Sequence, residues 1–162
     1  MKPSVYIETT IPSFLAARAS RDVVLAGRQV ITRQWWDDRR QHYRLFISQY
    51  VLDEAARGDE DAASKRIEHL QGIELLLVDE EVMRLAALIV AAGIIPEKSA
   101  TDAGHIAVAA RHGVDFLLTW NCVHIANAEN MKRIGVVLRQ EGYESPVICT
   151  PDELAGDDFN EN

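Results

Sequence analysis

Apolar residues along this chain fall into two rhythms. Short, nearly unbroken β-branched and aromatic runs at Ser4–Ile7, Leu45–Ser48, Glu74–Val78, Asp115–Thr119 and Val147–Cys149 read as strands. Between them the apolar positions recur at helical spacing. They predict helices over Arg21–Gln41, Gln49–Arg57, Glu60–Leu70, Asp79–Ala92, Thr101–His112 and Ala128–Glu141. Strands that alternate with helices need crossover connections. The expectation is therefore a three-layer α/β fold, a central mostly parallel sheet of four to five strands flanked by helices. The strands are apolar on both sides, as strands buried between two layers should be. Local signals agree: Pro12 suits the first turn of a short helix after the first strand, and Ser99 stands where an N-cap belongs. His112 followed by Gly113 marks a helix end. No repeat or Gly/Ser/Pro-rich linker divides the chain. Residues 1–154 are expected to form one domain, followed by an acidic, disordered tail at 155–162.

The longest predicted helix has a marked polarity. At ~100° per residue, Val23, Val24, Val30, Ile31 and Trp35 gather on one side of Arg21–Gln41, and Arg21, Arg28, Arg33, Arg39 and Arg40 on the other. The aliphatic side is expected to dock and the basic side to face outward. The basic side is either a solvated face, an RNA backbone contact or a dock for an acidic partner. Adjacent residues point roughly 100° apart, so Trp35 and Trp36 should not share the core. Trp36 exposed among arginines would suit base stacking or an interface.

Composition narrows the class. The 162 residues are 48% hydrophobic and 26% charged, the profile of an ordinary globular protein large enough to bury a core. A net charge of −8 argues against a generic nucleic-acid coat, although the seven arginines and three aspartates between Ala16 and Arg44 make a local +4. Leu85 to Ile95, the longest mostly apolar stretch, is shorter than the ~18–20 residues that cross a bilayer. No signal-peptide pattern opens the chain, and Cys122 and Cys149 are too few for a disulfide framework. A soluble cytoplasmic protein is expected. GxGxxG and Walker A patterns are lacking, and the histidines do not show zinc-site spacing.

In an open parallel sheet, ligands bind at the carboxyl ends of strands. Glu8 directly follows the first strand, and Asn121 comes just after the fourth. Glu54 lies on the helix leaving the second strand, and Asp102 in the first turn of the Thr101–His112 helix. Four oxygen-bearing side chains can meet on one sheet edge. Such clusters suit Mg²⁺ or Mn²⁺, which offset carboxylate repulsion and can hold a phosphodiester and acidify a water. No nucleophilic side chain stands out, so metal-assisted phosphodiester hydrolysis is the chemistry implied. His105, three residues after Asp102, either holds a carboxylate or phosphate or is a structural histidine; the same choice applies to His124.

Four segments then carry a resemblance: YIETTIPS (Tyr6–Ser13), SQYVLDE (Ser48–Glu54), TDAGHIAVAARHGVDFLLTWN (Thr101–Asn121) and HIANA (His124–Ala128). Together with PVICTPDEL (Pro146–Leu154), they resemble the PIN-domain family, in particular the VapC-like toxin ribonucleases of bacterial toxin–antitoxin systems. The resemblance implies a PIN-like fold and a Mg²⁺- or Mn²⁺-dependent endoribonuclease. It places Glu8, Glu54, Asp102 and Asn121 at the family's four catalytic metal-binding positions, with Thr119 at a hydroxyl position two before the last. It also implies an RNA substrate and a small antitoxin, and a homodimer is a further expectation. Two departures matter. Glu8 stands where aspartate is common, moving the carboxylate outward by roughly 1.5 Å, and Asn121 is neutral. They leave open an alternative, a catalytically weakened PIN module that acts by binding RNA or protein.

Overall fold

The computed structural model describes residues 1–156, and in them five strands pair in parallel. They are β1 (Ser4–Ile7), β2 (Arg44–Ser48), β3 (Glu74–Leu76), β4 (Phe116–Leu118) and β5 (Val147–Cys149), ordered β3-β2-β1-β4-β5. β1 is central: Tyr6 lies opposite Phe46 on one side and Leu117 on the other, and all four of its residues are buried. β3 departs from the buried-strand expectation. It is an edge strand with Glu74 and Leu75 exposed, and it stops two residues early.

The chain runs outward from β1 twice, first to β2 and β3, then back across to β4 and β5. Right-handed crossovers therefore put the two sets of helices on opposite faces. On the first face lie α1 (Thr10–Ala16), α2 (Val23–Gln34), α3 (Gln49–Ala55) and α4 (Glu60–Leu70), where α1 touches both α2 and α4. On the other lie α5 (Glu80–Ala91), α6 (Ala100–Arg111) and α7 (Ala128–Gln140), with α5 against α6 and α7. α3 also reaches α6, where the two layers meet. Asp22, Asp59, Asp79 and Asn127 cap their helices by accepting backbone N–H bonds. Ser99 occupies the N-cap position of α6 but makes no side-chain cap bond, because a 3₁₀ turn (Glu97–Ser99) leads directly into the helix. His112 closes α6, and Gly113 follows at φ +64°, as a helix-ending glycine should.

The region expected as one Arg21–Gln41 helix is three pieces. α2 ends at Gln34, a π-helical turn covers Trp35–Arg39, and a 3₁₀ turn covers Arg40–His42. The docked face is only partly the expected one, with Trp35 buried and Ile31 half-buried against the core. Gln29 and Thr32 are buried, while Val23, Val24, Leu25 and Val30 are exposed, Val23 by 86%. Polar bonds explain why Gln29 and Thr32 join that face. Gln29 accepts from Ser20 N (2.9 Å) and donates to Arg18 O (2.8 Å), and Thr32 accepts from Trp120 Nε1 (2.8 Å). The buried amide and hydroxyl are satisfied, so burying them costs little.

Both tryptophans are buried, which corrects the expectation of an exposed Trp36. The i→i+5 bond from Arg40 N to Trp35 O widens the turn, so neighbouring side chains diverge less than in an α-helix. Trp35 stacks on Tyr43 and donates to Leu154 O (3.1 Å). Trp36 meets the His69 ring edge-on, with the Arg40 guanidinium 5.0 Å from its centroid. Leu154 and Ala155 are buried, so the first residue of the tail expected at 155–162 belongs to the folded body; residues 157–162 lie outside the described residues. No described helix is long and apolar enough to cross a membrane, and both cysteines are free thiols.

Candidate active site

β1 lies where the strand order turns, with β2 on one side and β4 on the other, and this is where open α/β sheets place ligands. Glu8 leaves β1 there, its backbone N–H still bonded to Leu118 O (3.1 Å). The side chain is only 3% exposed. Its Oε2 accepts from Thr10 N (3.1 Å), Thr10 Oγ1 (2.5 Å) and Thr119 Oγ1 (2.7 Å). Burial pushes the Glu8 carboxyl above its ordinary value, against the pull of His105 and of the Thr10 and Thr119 bonds.

Glu54 arrives from the last turn of α3. Its Oε1 accepts from Thr9 Oγ1 (2.7 Å) and bonds His105 Nε2 (2.5 Å). Partial burial works to raise this carboxyl too. The His105 bond and charge, helped by Thr9, outweigh it and hold Glu54 below the usual range. Two acids in one cleft are thus pushed in opposite directions. His105 is wholly buried on α6, and its other ring nitrogen bonds the Tyr6 hydroxyl (2.7 Å), which bonds Ser48 Oγ (2.7 Å). Burial pushes the Tyr6 phenol well above its ordinary value, so it stays a neutral link. Tyr50 meets the His105 ring edge-on at 6.0 Å. Gly104 permits that approach, because a Cβ there would sit 2.7 Å from Tyr50 Cε2. One potential ligand atom from each of Glu8, Glu54 and His105 lies within 4.8 Å of the other two.

The other two sequence candidates form a neighbouring group. Asp102 Oδ2 bonds His124 Nδ1 (2.8 Å), and His124 N donates to Asn121 Oδ1 (3.1 Å). Asn121 N donates to Thr119 Oγ1 (2.9 Å), the same hydroxyl that donates to Glu8. Thr119 therefore ties the groups together on one side, and α6 does so on the other by carrying both Asp102 and His105. Sequence reasoning named all four candidates but left the two histidines undecided. The structure brings His105 to Glu54 and His124 to Asp102. It adds Thr9, Tyr6 and Ser48, whose roles no local spacing announces.

The basic residues are dispersed. Arg28 lies over the Trp120 ring, 5.0 Å from its centroid. Trp120 N donates to Thr10 Oγ1 (2.8 Å), so this arginine is linked to the carboxylate cluster through Trp120 and Thr10. Arg21 is exposed before α2, Arg33 Nη2 points to Ala17 O (3.4 Å), Arg39 adjoins Gly156, and Arg40 sits on Trp36. They do not form one stripe.

The donor set fits a divalent cation. Two carboxylates converge beside an imidazole, one acid is buried and costly to ionise alone, and carboxylate oxygens suit Mg²⁺ and Mn²⁺, while His105, bonded at both ring nitrogens, supports Glu54. No protein-family profile matches the chain, and no curated protein does. Among solved structures the fold is similar to that of Mycobacterium tuberculosis VapC20, a sarcin-ricin loop cleaving toxin. The TM-score is 0.50 at 16% identity, over 77% of this chain and 95% of that one. The likeness is one of fold, and it falls in the VapC branch that the sequence resembles.

Proposed function

We propose that this protein is a divalent-metal-dependent endoribonuclease of the PIN type, the toxin of a type II toxin–antitoxin pair. The observation that carries the reading is the convergence of Glu8, Glu54 and His105 at the turning point of a VapC-like sheet, with Asp102 and Asn121 adjoining. Glu8 and Glu54 would hold the ion, with Asp102 and Asn121 completing the rim directly or through water, while His105 keeps its bond to Glu54. Bound there, Mg²⁺ or Mn²⁺ would polarise a phosphoryl oxygen and activate water. The chain's own contribution is pre-organisation. Thr10 and Thr119 orient Glu8, Thr9 and His105 orient Glu54, and His124 orients Asp102. Groups held this way need little rearrangement during reaction.

The test is cleavage of RNA by the purified chain across a Mn²⁺ titration, wild type against Asp102→Asn and Glu8→Gln. Cleavage should vanish in EDTA and fall by roughly 10²–10³ in each variant, the scale of losing one preorganised electrostatic group. Equal cleavage in EDTA or in both variants would overturn the proposal. RNA retention without turnover would favour the binding module.

The same reading makes RNA the substrate, a small antitoxin the partner and the cytoplasm the compartment. The exposed aliphatic residues Val23, Val24, Leu25 and Val30, near Arg21 in the chain, mark the surface we assign to an antitoxin segment whose acids face that arginine. A homodimer is the competing occupant. Light scattering of the chain alone and co-expressed with the antitoxin separates the two.

A further inference from the structure

We propose that Arg28 and Trp120 form a phosphate subsite beside the carboxylate cluster, gripping the RNA backbone next to the bond that is cut. The inference rests on the nuclease reading and deepens it. Trp120 is fixed at both ends. Its backbone N–H donates to Thr10 Oγ1, itself bonded to Glu8, and its indole N–H donates to Thr32 on α2. Phe14 lies against the ring at 6.0 Å, and Trp120 is only 8% exposed. So buried a ring offers no platform for a base. It offers a face for a cation.

Arg28 occupies that face. Among the described residues no carboxylate pairs with its guanidinium, and no hydrogen bond holds it. Other arginines spend their forks differently: Arg84 on Glu81 and Glu141, Arg111 on Asp79, Arg66 on the carbonyls of Ala55 and Arg57. Arg40 also lies on a tryptophan, but Trp36 makes no contact with the carboxylate cluster and shares its groove with His69. Arg28 thus keeps a planar set of donors free, oriented by cation–π contact, one side chain away from residues bonded to Glu8. A phosphate is the ligand that such a fork matches bidentately. The location argues the same way. Glu8 and Glu54 repel an approaching RNA backbone, and a fixed positive charge at their border compensates. Contact of this kind positions the strand and reads no sequence.

The experiment is fluorescence anisotropy of a labelled uridine 12-mer RNA, held in EDTA to prevent cleavage, across a KCl series. Wild type is compared with Arg28→Gln, Arg28→Lys and Arg40→Gln, after their melting temperatures have been matched. Arg28→Gln should reduce the log–log salt slope by about 0.7, the value of one phosphate contact on a single strand. Arg28→Lys should restore the slope with weaker affinity, and Arg40→Gln should leave it unchanged. An unchanged slope in Arg28→Gln, or equal losses in Arg28→Gln and Arg40→Gln, overturns the subsite and leaves the nuclease reading standing. Loss of poly-glutamate binding with RNA binding intact would assign Arg28 to an acidic protein and also overturn it. A wild type without RNA affinity overturns the subsite, and the nuclease reading is then decided by the Mn²⁺ titration alone.

Discussion

Thr119→Val exchanges a wholly buried hydroxyl for a methyl group of nearly the same shape. The hydroxyl donates to Glu8 Oε2 at 2.7 Å and accepts from Asn121 N at 2.9 Å. A bond to a charged group is worth roughly 1.5–3 kcal/mol and a neutral one roughly 0.5–1.5. With Glu8 ionised the loss is therefore roughly 2–4.5 kcal/mol, and with Glu8 protonated roughly 1–3. In a domain of this size the larger figure lowers the melting temperature by roughly 4–18 °C. The pH dependence follows from burial, which raises the Glu8 carboxyl. Stability from a raised acid is complete below its unfolded pKa and is lost as pH rises through the folded value. Removing a donor to the carboxylate raises the folded value further, so the deficit of the variant should widen from pH 4 to pH 8. Thermal melts of both proteins in EDTA at the two pH values measure this. Equal deficits would mean that the bond does not see the Glu8 charge, and no deficit would remove Thr119 from the site.

Three further outcomes follow from other parts of the structure. Gly104→Ala places a Cβ 2.7 Å from Tyr50, and overpacking of about 1–3 kcal/mol should outweigh a helix gain of about 1; a more stable variant in urea denaturation would contradict the close approach. Trp36→Ala should cost about 3–5 kcal/mol, as a core tryptophan does, and a change under ~0.5 would return the ring to the surface. Asp115 accepts from Ser4 N and Oγ, which hold its carboxyl below the usual range. The stability it contributes is present above the unfolded aspartate value and lost as pH falls through the folded one. Asp115→Asn should thus flatten the acid limb of the urea midpoints below pH 5, and an unaltered limb would refute the role.

The candidate site was partly legible because two of its members are strand-end residues. Glu8 and Asn121 sit one and three positions beyond strands whose apolar runs are unambiguous, and parallel topology sends both ends to one edge. Glu54 needed the family resemblance, since acids are common around it, whereas Asp102 stands in the first turn of a helix whose face is otherwise small and apolar. The bonding partners were not legible. His105 reaches Glu54 across 51 positions and Tyr6 across 99, and Thr119 reaches Glu8 across 111.

The alternation of apolar runs with helical spacing lies within contiguous stretches of chain, so every strand and the α/β class could be read from it. Boundaries shifted by one or two residues, as at β3 and β4. Docking faces are a different matter. α2 buried Gln29 and Thr32 and left Val23, Val24 and Val30 exposed because Ser20, Arg18 and Trp120 offered partners to the two polar residues, and a helical wheel contains no such partners. The π-turn buried Trp36 along with Trp35 because His69 and Arg40 closed around it. Side-chain order in sequence sets what an element can bury; distant donors and acceptors, met only after the chain collapses, set what it does bury. The joining of a buried histidine to a carboxylate pair, on which the proposed chemistry rests, belongs to that second kind.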